Sequence, residues 1–252
     1  VLSGLARPPG MMVKEPPPIV GGSQDDLLEW SLRESGSGLA SLNEGTTRGV
    51  ERLQRGEVLA TAVHFHGTHA SNSSNSAGGD ANIVALRSLP SLHDVVLVGV
   101  VRREQGLVVA RGNPRKLYSL QNVLGSGAKM AVRQAGAGSQ LLLEALLKRA
   151  GINLKDLHQL APPSLTGPDL ASAIRTGSAD CGIATRGAAR AAGLDFVPLA
   201  WESFDLLMRQ RSYFCPAIQA LIGFLRDDRL KQRAAELTGY DPSPAGQIRF
   251  AA

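Results

Sequence analysis

From Ile19 onward the sequence repeats one device: a short apolar run, a turn of glycine and polar residues, then a segment with apolar residues at helical spacing. Ile19-Val20 leads through Gly21-Gly22-Ser23 into a segment that carries Leu27, Leu28 and Leu32 on one face. Leu39 to Leu42 is a second apolar run. Thr46-Thr47 then caps a segment carrying Val50 and Leu53, and Gly56 stops it. Leu59 to Phe65 is a third strand candidate. Strands separated by helix-sized crossovers cannot pair as hairpins, so the pattern calls for a mostly parallel sheet covered by helices.

The same reading extends to the C-terminus. Val95–Val101 is a strongly apolar strand, and Gly106–Ala110 is a second, set apart by Arg102-Arg103-Glu104-Gln105. Lys129–Arg133 is a strand, and Gln134 to Ser139 is a glycine-rich turn. The helix after it presents Leu141, Leu142, Ala145 and Leu146 and ends at Gly151. Leu170–Arg175 and Ala188–Ala192 read as helices, and Cys181–Ala184 and Phe196–Leu199 as strands. Pro216–Leu225 and a charged segment around Leu230–Leu237 close the chain as helices. Two stretches lack periodicity. Residues 1–17, with Pro8-Pro9-Gly10 and Pro16-Pro17, read as a linker, and Gly67 to Asn82 as a polar loop. No apolar run approaches the roughly 18 residues of a membrane span.

Composition narrows the ligand classes. Aromatic residues are only 4% of the chain, too few for the aromatic cages that hold sugars or nucleobases. Of the 27 basic residues 21 are arginine, whose permanently charged planar fork suits oxyanions. These arginines are scattered, and the densest group, Arg102, Arg103, Arg111 and Arg115, is interrupted by Glu104 and apolar residues. Direct nucleic-acid binding by this chain is therefore disfavoured. Cys181 and Cys215 lie far apart with no metal-ligand spacing and read as two thiols, with a disulfide not implied.

The turn Gly136-Ala137-Gly138-Ser139-Gln140 is the strongest site candidate. Glycines let backbone approach a ligand closely, and the exposed N–H groups at a helix start attract anions. Arg133 and Gln134 end the preceding strand at the same mouth. Gly22-Ser23-Gln24-Asp25 repeats the device, and Glu44-Gly45-Thr46-Thr47 repeats it again. Three such turns, about a hundred residues apart, suit a ligand held between two lobes. No Gly-Lys-Ser/Thr phosphate loop and no dinucleotide fingerprint is present.

His64, His66 and His69 have no carboxylate or cysteine beside them in sequence and no His-Glu-x-x-His pattern. They are read as cavity wall, His64 foremost, and no metal or other cofactor is expected. No Gly-x-Ser-x-Gly elbow, Ser/His/Asp set or carboxylate pair can be assembled, so the chain is read as a binding protein rather than an enzyme.

Several stretches together carry a family resemblance. They are Gly22-Ser23-Gln24-Asp25 with Leu27-Leu28-Glu29; Arg103 to Leu107 leading to Gly112-Asn113-Pro114; Arg133-Gln134-Ala135-Gly136-Ala137-Gly138-Ser139-Gln140; Gly177 to Gly182; and Gly193-Leu194-Asp195-Phe196-Val197-Pro198-Leu199. From Pro18 to Phe250 the chain resembles the periplasmic-binding-protein-like sensor domain found behind a helix-turn-helix in bacterial transcriptional regulators, a family related to molybdate- and tungstate-binding proteins. It departs from the family pattern at Gln24, where a histidine is usual, and at Ser139-Gln140, where a Thr-Arg pair is frequent. The resemblance implies an α/β, two-lobed, type II fold, each lobe a mixed and mostly parallel sheet flanked by helices. It places residues 18–100 plus 200–252 in one lobe and 101–199 in the other. It implies a small anionic ligand, such as molybdate, tungstate, or a small organic acid or cofactor, bound between the lobes of a cytoplasmic effector-sensing domain. DNA contact would come only through a separate domain, and a homo-oligomer is allowed. A free solute-binding protein of a transporter is the alternative, with an enzyme on the same scaffold ranked behind it. Ser23, Gln24, Thr46, His64, Arg133, Gln134, Gly138, Ser139 and Gln140 are the expected ligand-binding residues.

Overall fold

The computed structural model describes residues 15–66, 80–89 and 92–252. Most of the N-terminal linker, most of the polar loop and His69 lie outside the described residues. The first part of the chain forms β1 (Ile19–Gly22), α1 (Asp26–Glu34), β2 (Ala40–Asn43), α2 (Thr46–Arg55), β3 (Ala60–Val63) and α3 (Ala81–Arg87). Then come β4 (Val95–Val109), α4 (Leu120–Gly125), β5 (Met130–Arg133), α5 (Gly138–Ala150), β6 (Gln159–Ser164), α6 (Gly167–Arg175), β7 (Cys181–Thr185) and α7 (Arg186–Ala191). The last part forms β8 (Asp195–Arg209), α8 (Gln210–Tyr213), α9 (Pro216–Leu225), α10 (Asp228–Leu237), β9 (Tyr240–Asp241) and β10 (Ile248–Ala251).

The strands run in the order β2-β1-β3-β8-β4-β7-β5-β6, with β9 and β10 also paired to β4. β1 is parallel to β2 and β3, and β5 is parallel to β6 and β7. Strands β4 and β8 are antiparallel to each other over their length, with irregularities at Gly99/Val101 and Gln105/Gly106. Both lobes share them: β3 and β10 pair with one half of this ribbon and β7 with the other.

The apolar cores separate accordingly. On one half, Val96 and Val98 pack with Leu27, Phe204 and Ile218, while Val95 and Leu97 pack on the opposite face with Val50, Leu53 and Leu86. On the other half, Leu107 and Val109 pack with Met130, Leu142 and Leu147, and Val108 packs with Leu170 and Ile174. Successive side chains of one strand thus feed helices on both faces, as the two-residue period of a strand requires.

The strands that run between the lobes are longer than the segments expected from the sequence. Arg102 to Gln105 do not separate two strands; they are the middle of one strand of 15 residues. Alternation continues through them, since Arg103 and Gln105 are buried and Arg102 and Glu104 are not. Their inward polar groups are met by Glu202 of β8, so the charges do not break the ladder. The strand expected at Phe196–Leu199 likewise runs on to Arg209. Helices α3 and α4 and strands β6, β9 and β10 were not legible as elements. Cys181 and Cys215 are free; Cys181 is buried in the second-lobe core, and burial pushes its thiol up to about 12. No helix among the described residues is long and apolar enough to cross a membrane.

Candidate functional site

A cavity of about 100 Å³ lies where the lobes face each other across the β4–β8 ribbon. Its wall gathers helix starts from both sides: Ser23 to Asp26 at α1, Gly45 at α2, Ala137 to Ser139 at α5, Thr166 to Pro168 at α6, and Thr185 at α7. Such ends carry unsatisfied N–H groups and the positive pole of the helix. At α1 the pole is already spent, because Asp25 accepts from the N–H groups of Leu27 and Leu28 at 2.9 and 3.0 Å. At α5 it is not, since Ala137 precedes the helix without a side-chain cap.

On the first-lobe wall a buried polar cluster is organised by Arg103. Its guanidinium donates to Glu202 Oε1 at 2.5 Å, to Asp25 Oδ2 at 2.8 Å and to the Gln24 carbonyl at 3.2 Å. It also donates to His64 Nδ1 at 3.0 Å and lies 4.2 Å from the centre of the Phe204 ring. Burial alone would lower this cation, but Glu202 and Asp25 hold it above its ordinary range. Burial likewise opposes ionisation of Glu202, and the donors around it, the permanent charge of Arg103 above all, outweigh it and hold the carboxyl well below its usual range. Tyr240 of β9 donates to Asp25 Oδ2 at 3.1 Å, and burial beside Asp25 raises its phenol. The pair Arg103–Glu202 therefore cross-links the ribbon, and Asp25 ties α1 to it.

His64 is fully enclosed. Burial pushes its imidazole down to about 3, so it is neutral near pH 7. Arginine can only donate, and of its two contacts with the ring the one to Nδ1 is the shorter, 3.0 against 3.5 Å, which assigns Nδ1 as the acceptor and the ring proton to Nε2. That Nε2 reaches the second lobe: a β-carbon built on Gly138 would lie 1.2 Å from it. Gly45 makes a similar approach, its notional β-carbon 2.8 Å from the Gly136 carbonyl oxygen. Glycine at these two positions lets the lobes close.

The second-lobe wall is built around Arg133. The guanidinium donates from Nε to the Ser164 carbonyl at 3.1 Å and from Nη2 to the Leu165 carbonyl at 2.8 Å. Its backbone N–H is held by Gln140 Oε1 at 3.2 Å. Burial lowers the guanidinium and Asp169 opposes that shift, yet no carboxylate among the described residues lies within ion-pair distance of it. Of the two arginines lining the cavity, Arg103 is neutralised and Arg133 is not.

Ser23, Gln24, His64, Arg133, Gln134, Gly138 and Ser139 all line this one cavity. Thr46 and Gln140 stand behind it. Thr46 Oγ1 accepts from the His64 N–H at 3.2 Å and bonds Ser23 Oγ at 2.8 Å, so it positions both residues. Gln140 positions Arg133 and donates to Glu144. Sequence reasoning missed Asp25, Arg103, Gln105, Glu202 and Tyr240 as parts of the site. Arg103 had been counted with a scattered basic surface; its place at an inward position of an otherwise apolar strand was the available signal.

The histidines do have a carboxylate near them in space. His66 Nε2 lies 3.2 Å from Glu202 Oε2, and His64, His66 and Glu202 offer ligand atoms all within 4.8 Å of one another. The carboxylate comes from a residue 136 positions further along the chain than His66, which local spacing could not reveal. Arg103 occupies two of the three groups, bonding His64 Nδ1 and Glu202 Oε1.

Two lobes on a shared ribbon, with helix starts converging between them, define the architecture. A family model described as a PBP superfamily domain matches residues 29–226. The chain belongs to this family. It is also similar to the uncharacterized protein YvgK of Bacillus subtilis (strain 168), with 27% identity over 205 residues, 81% of this chain. The chain spans 63% of the length of that curated relative. Among solved structures, one described as the tungstate ABC transporter from Geobacter sulfurreducens aligns with a TM-score of 0.60 at 15% identity, covering 86% of this chain and 98% of that one. The effector binding domain of QuiR in complex with shikimate aligns with a TM-score of 0.54 at 13% identity, covering 82% and 93%. At these identities the solved structures speak for the fold alone.

Proposed function

We propose that this chain binds a small anion in the interlobe cavity and serves as the cytoplasmic effector-sensing domain of a transcriptional regulator. The observation that carries the ligand class is the un-neutralised Arg133 facing the uncapped start of α5, with Ser139 and the Nε2–H of His64 beside it. Donors converge there, which is the arrangement that stabilises negative charge. The cavity's size supports a compact ligand, since about 100 Å³ is far below the roughly 300–1,000 Å³ of drug-sized pockets. Tetrahedral oxyanions such as molybdate and tungstate, and the smallest organic acids, fit that size better than a pterin-type cofactor.

The regulator role rests on the motif resemblance and on the likeness to a domain that binds an effector. A free solute-binding protein is the second reading, favoured by the 98% coverage of the tungstate transporter structure. The wall supports the binding reading: the His64 acceptor is used by Arg103, so the imidazole is not placed to activate Ser23 or Ser139.

The test is a thermal-shift and calorimetric series with molybdate, tungstate, phosphate, sulfate, acetate and glycolate. A ligand at about 100 times its Kd raises stability by about 2.7 kcal/mol, a readily measured shift. Absence of any saturable response across the series would refute the anion reading. The regulator reading is then tested with the full gene product, whose affinity for its promoter DNA must change when the anion is added.

A further inference from the structure

The donors described above face an opposite wall of different character. Asp25 and Asp26 line the first-lobe side, with Arg103 and Gln105 beside them on the shared ribbon and Glu202 directly behind. Three carboxylates stand there against the single guanidinium of Arg103. The second-lobe side has Arg133, and the nearby Asp169 spends its carboxylate on the backbone N–H of Thr166. The cavity is therefore electrically two-ended.

Gln105 fixes what the negative end asks for. Its Nε2 donates to Glu202 Oε1 at 2.9 Å, which sets the orientation of the amide, because the reverse orientation would press Oε1 against a carboxylate oxygen. Oε1 is then an acceptor only. The residue is 2% exposed, lines the cavity, and Oε1 has no hydrogen-bond partner. A buried amide oxygen left unmatched has lost its water without gaining a donor, which costs stability. A ligand that brings a hydrogen removes that cost, and one that brings only lone pairs increases it.

We infer that the anion this cavity selects also carries a hydrogen-bond donor, as a hydroxyl, an acid proton or an ammonium group, accepted by Gln105 Oε1 while Arg133 and the start of α5 hold the negative end. This deepens the anion reading proposed above and rests on it. Fully deprotonated oxyanions and simple carboxylates become the disfavoured members of their classes.

Matched pairs of probes test it. Hydrogen phosphate and sulfate share charge and tetrahedral shape, but only the former has an O–H; glycolate and acetate differ in the same way. Calorimetry at pH 8 should show the donor-bearing member of each pair binding at least about tenfold tighter, equivalent to one hydrogen bond of roughly 1.4 kcal/mol. In Gln105→Leu that preference should shrink to within about threefold, as hydrogen phosphate and glycolate lose their acceptor and sulfate and acetate no longer meet an opposing lone pair. Gln105→Met serves if the leucine variant does not fold by circular dichroism. Equal binding within both pairs overturns this inference and leaves the anion reading standing. A preference that persists undiminished in the folded variant overturns the assignment to Gln105. Failure of all four probes to bind overturns this inference, and the anion reading falls with it when molybdate and tungstate fail as well.

Discussion

The imidazole of His64 occupies the space where a side chain at residue 138 would begin, with Nε2 only 1.2 Å from the position of a β-carbon on Gly138. The two residues belong to different lobes, so this packing defines how far the cleft can shut. Gly138 also opens α5, and the same contact brings the Nε2–H of His64 to the positive end of that helix.

Gly138→Ala should therefore act on closure rather than on folding. The added methyl cannot coexist with the present ring position, and His64 cannot swing away without losing its bond from Arg103. Each lobe retains its own core, so the melting temperature should move little. Ligand affinity should fall by tenfold or more, on the order of 1.4 kcal/mol. Titration with the best anion found by screening, alongside a thermal melt, checks both parts. Unaltered affinity would show that binding does not need this degree of closure.

Arg133→Ala should cost on the order of 2–3 kcal/mol of anion affinity, the scale of a lost charge-assisted contact. Ser139→Ala should cost less, because the backbone donors of α5 remain. Arg133 also braces the Ser164 and Leu165 carbonyls, so the comparison must be made on protein that circular dichroism shows to be folded. Unchanged affinity in that protein would remove Arg133 from the site and undercut the anion reading with it.

Much of the scaffold could be read from the sequence because its signals are local. Strand-to-helix turns with glycine, helical leucine spacing, and Gly56 and Gly151 as stops each lie within one element and its flanks. The turn at Arg133 to Ser139 was found in this way, and so was Ser23. What escaped notice depends on pairing across long separations. Arg103 and Glu202 stand 99 positions apart, and neither residue alone says that it is buried. The continuity of β4 was hidden for the same reason, since four polar residues in a row look like a turn until their partners are known. β10 was missed because Arg249 interrupts a short run. In the fold that arginine pairs with Asp205 and Asp80 and anchors the C-terminal strand to the first lobe.

The proximity of His64, His66 and Glu202 invites a metal assignment, and the charge around them argues the other way. Arg103 lies at hydrogen-bond distance from His64 and Glu202, so a dication would enter beside a permanent guanidinium. Binding through the His64 Nε2 would also require that nitrogen to lose its proton while Nδ1 remains engaged as an acceptor. Untagged protein should accordingly carry no stoichiometric zinc, nickel or copper through purification, and added zinc should not raise its melting temperature. Retained metal in elemental analysis, lost in His66→Ala and Glu202→Gln, would establish a site here.

The final prediction concerns acid sensitivity. His64 titrates near its ordinary value of 6.5 when unfolded and near 3 when buried in the fold. Between those values the unfolded chain binds a proton that the folded chain refuses, so stability falls as pH falls. The loss begins below about pH 6.5 and approaches about 1.4 kcal/mol per pH unit for this one proton. Glu202, held below its usual range, adds a loss of the same sign, but only at and below ordinary carboxylate pH. In the range where His64 titrates, burial holds the Asp205 carboxyl up to about 6, a contribution of opposite sign, so the imidazole is isolated by comparison with a variant that lacks it. His64→Asn keeps an acceptor for Arg103 and removes the titration. Urea unfolding at a series of pH values should show the wild-type slope flattened in this variant by up to that amount. Parallel pH dependences for the two proteins would mean that His64 is not held neutral at the closed interface.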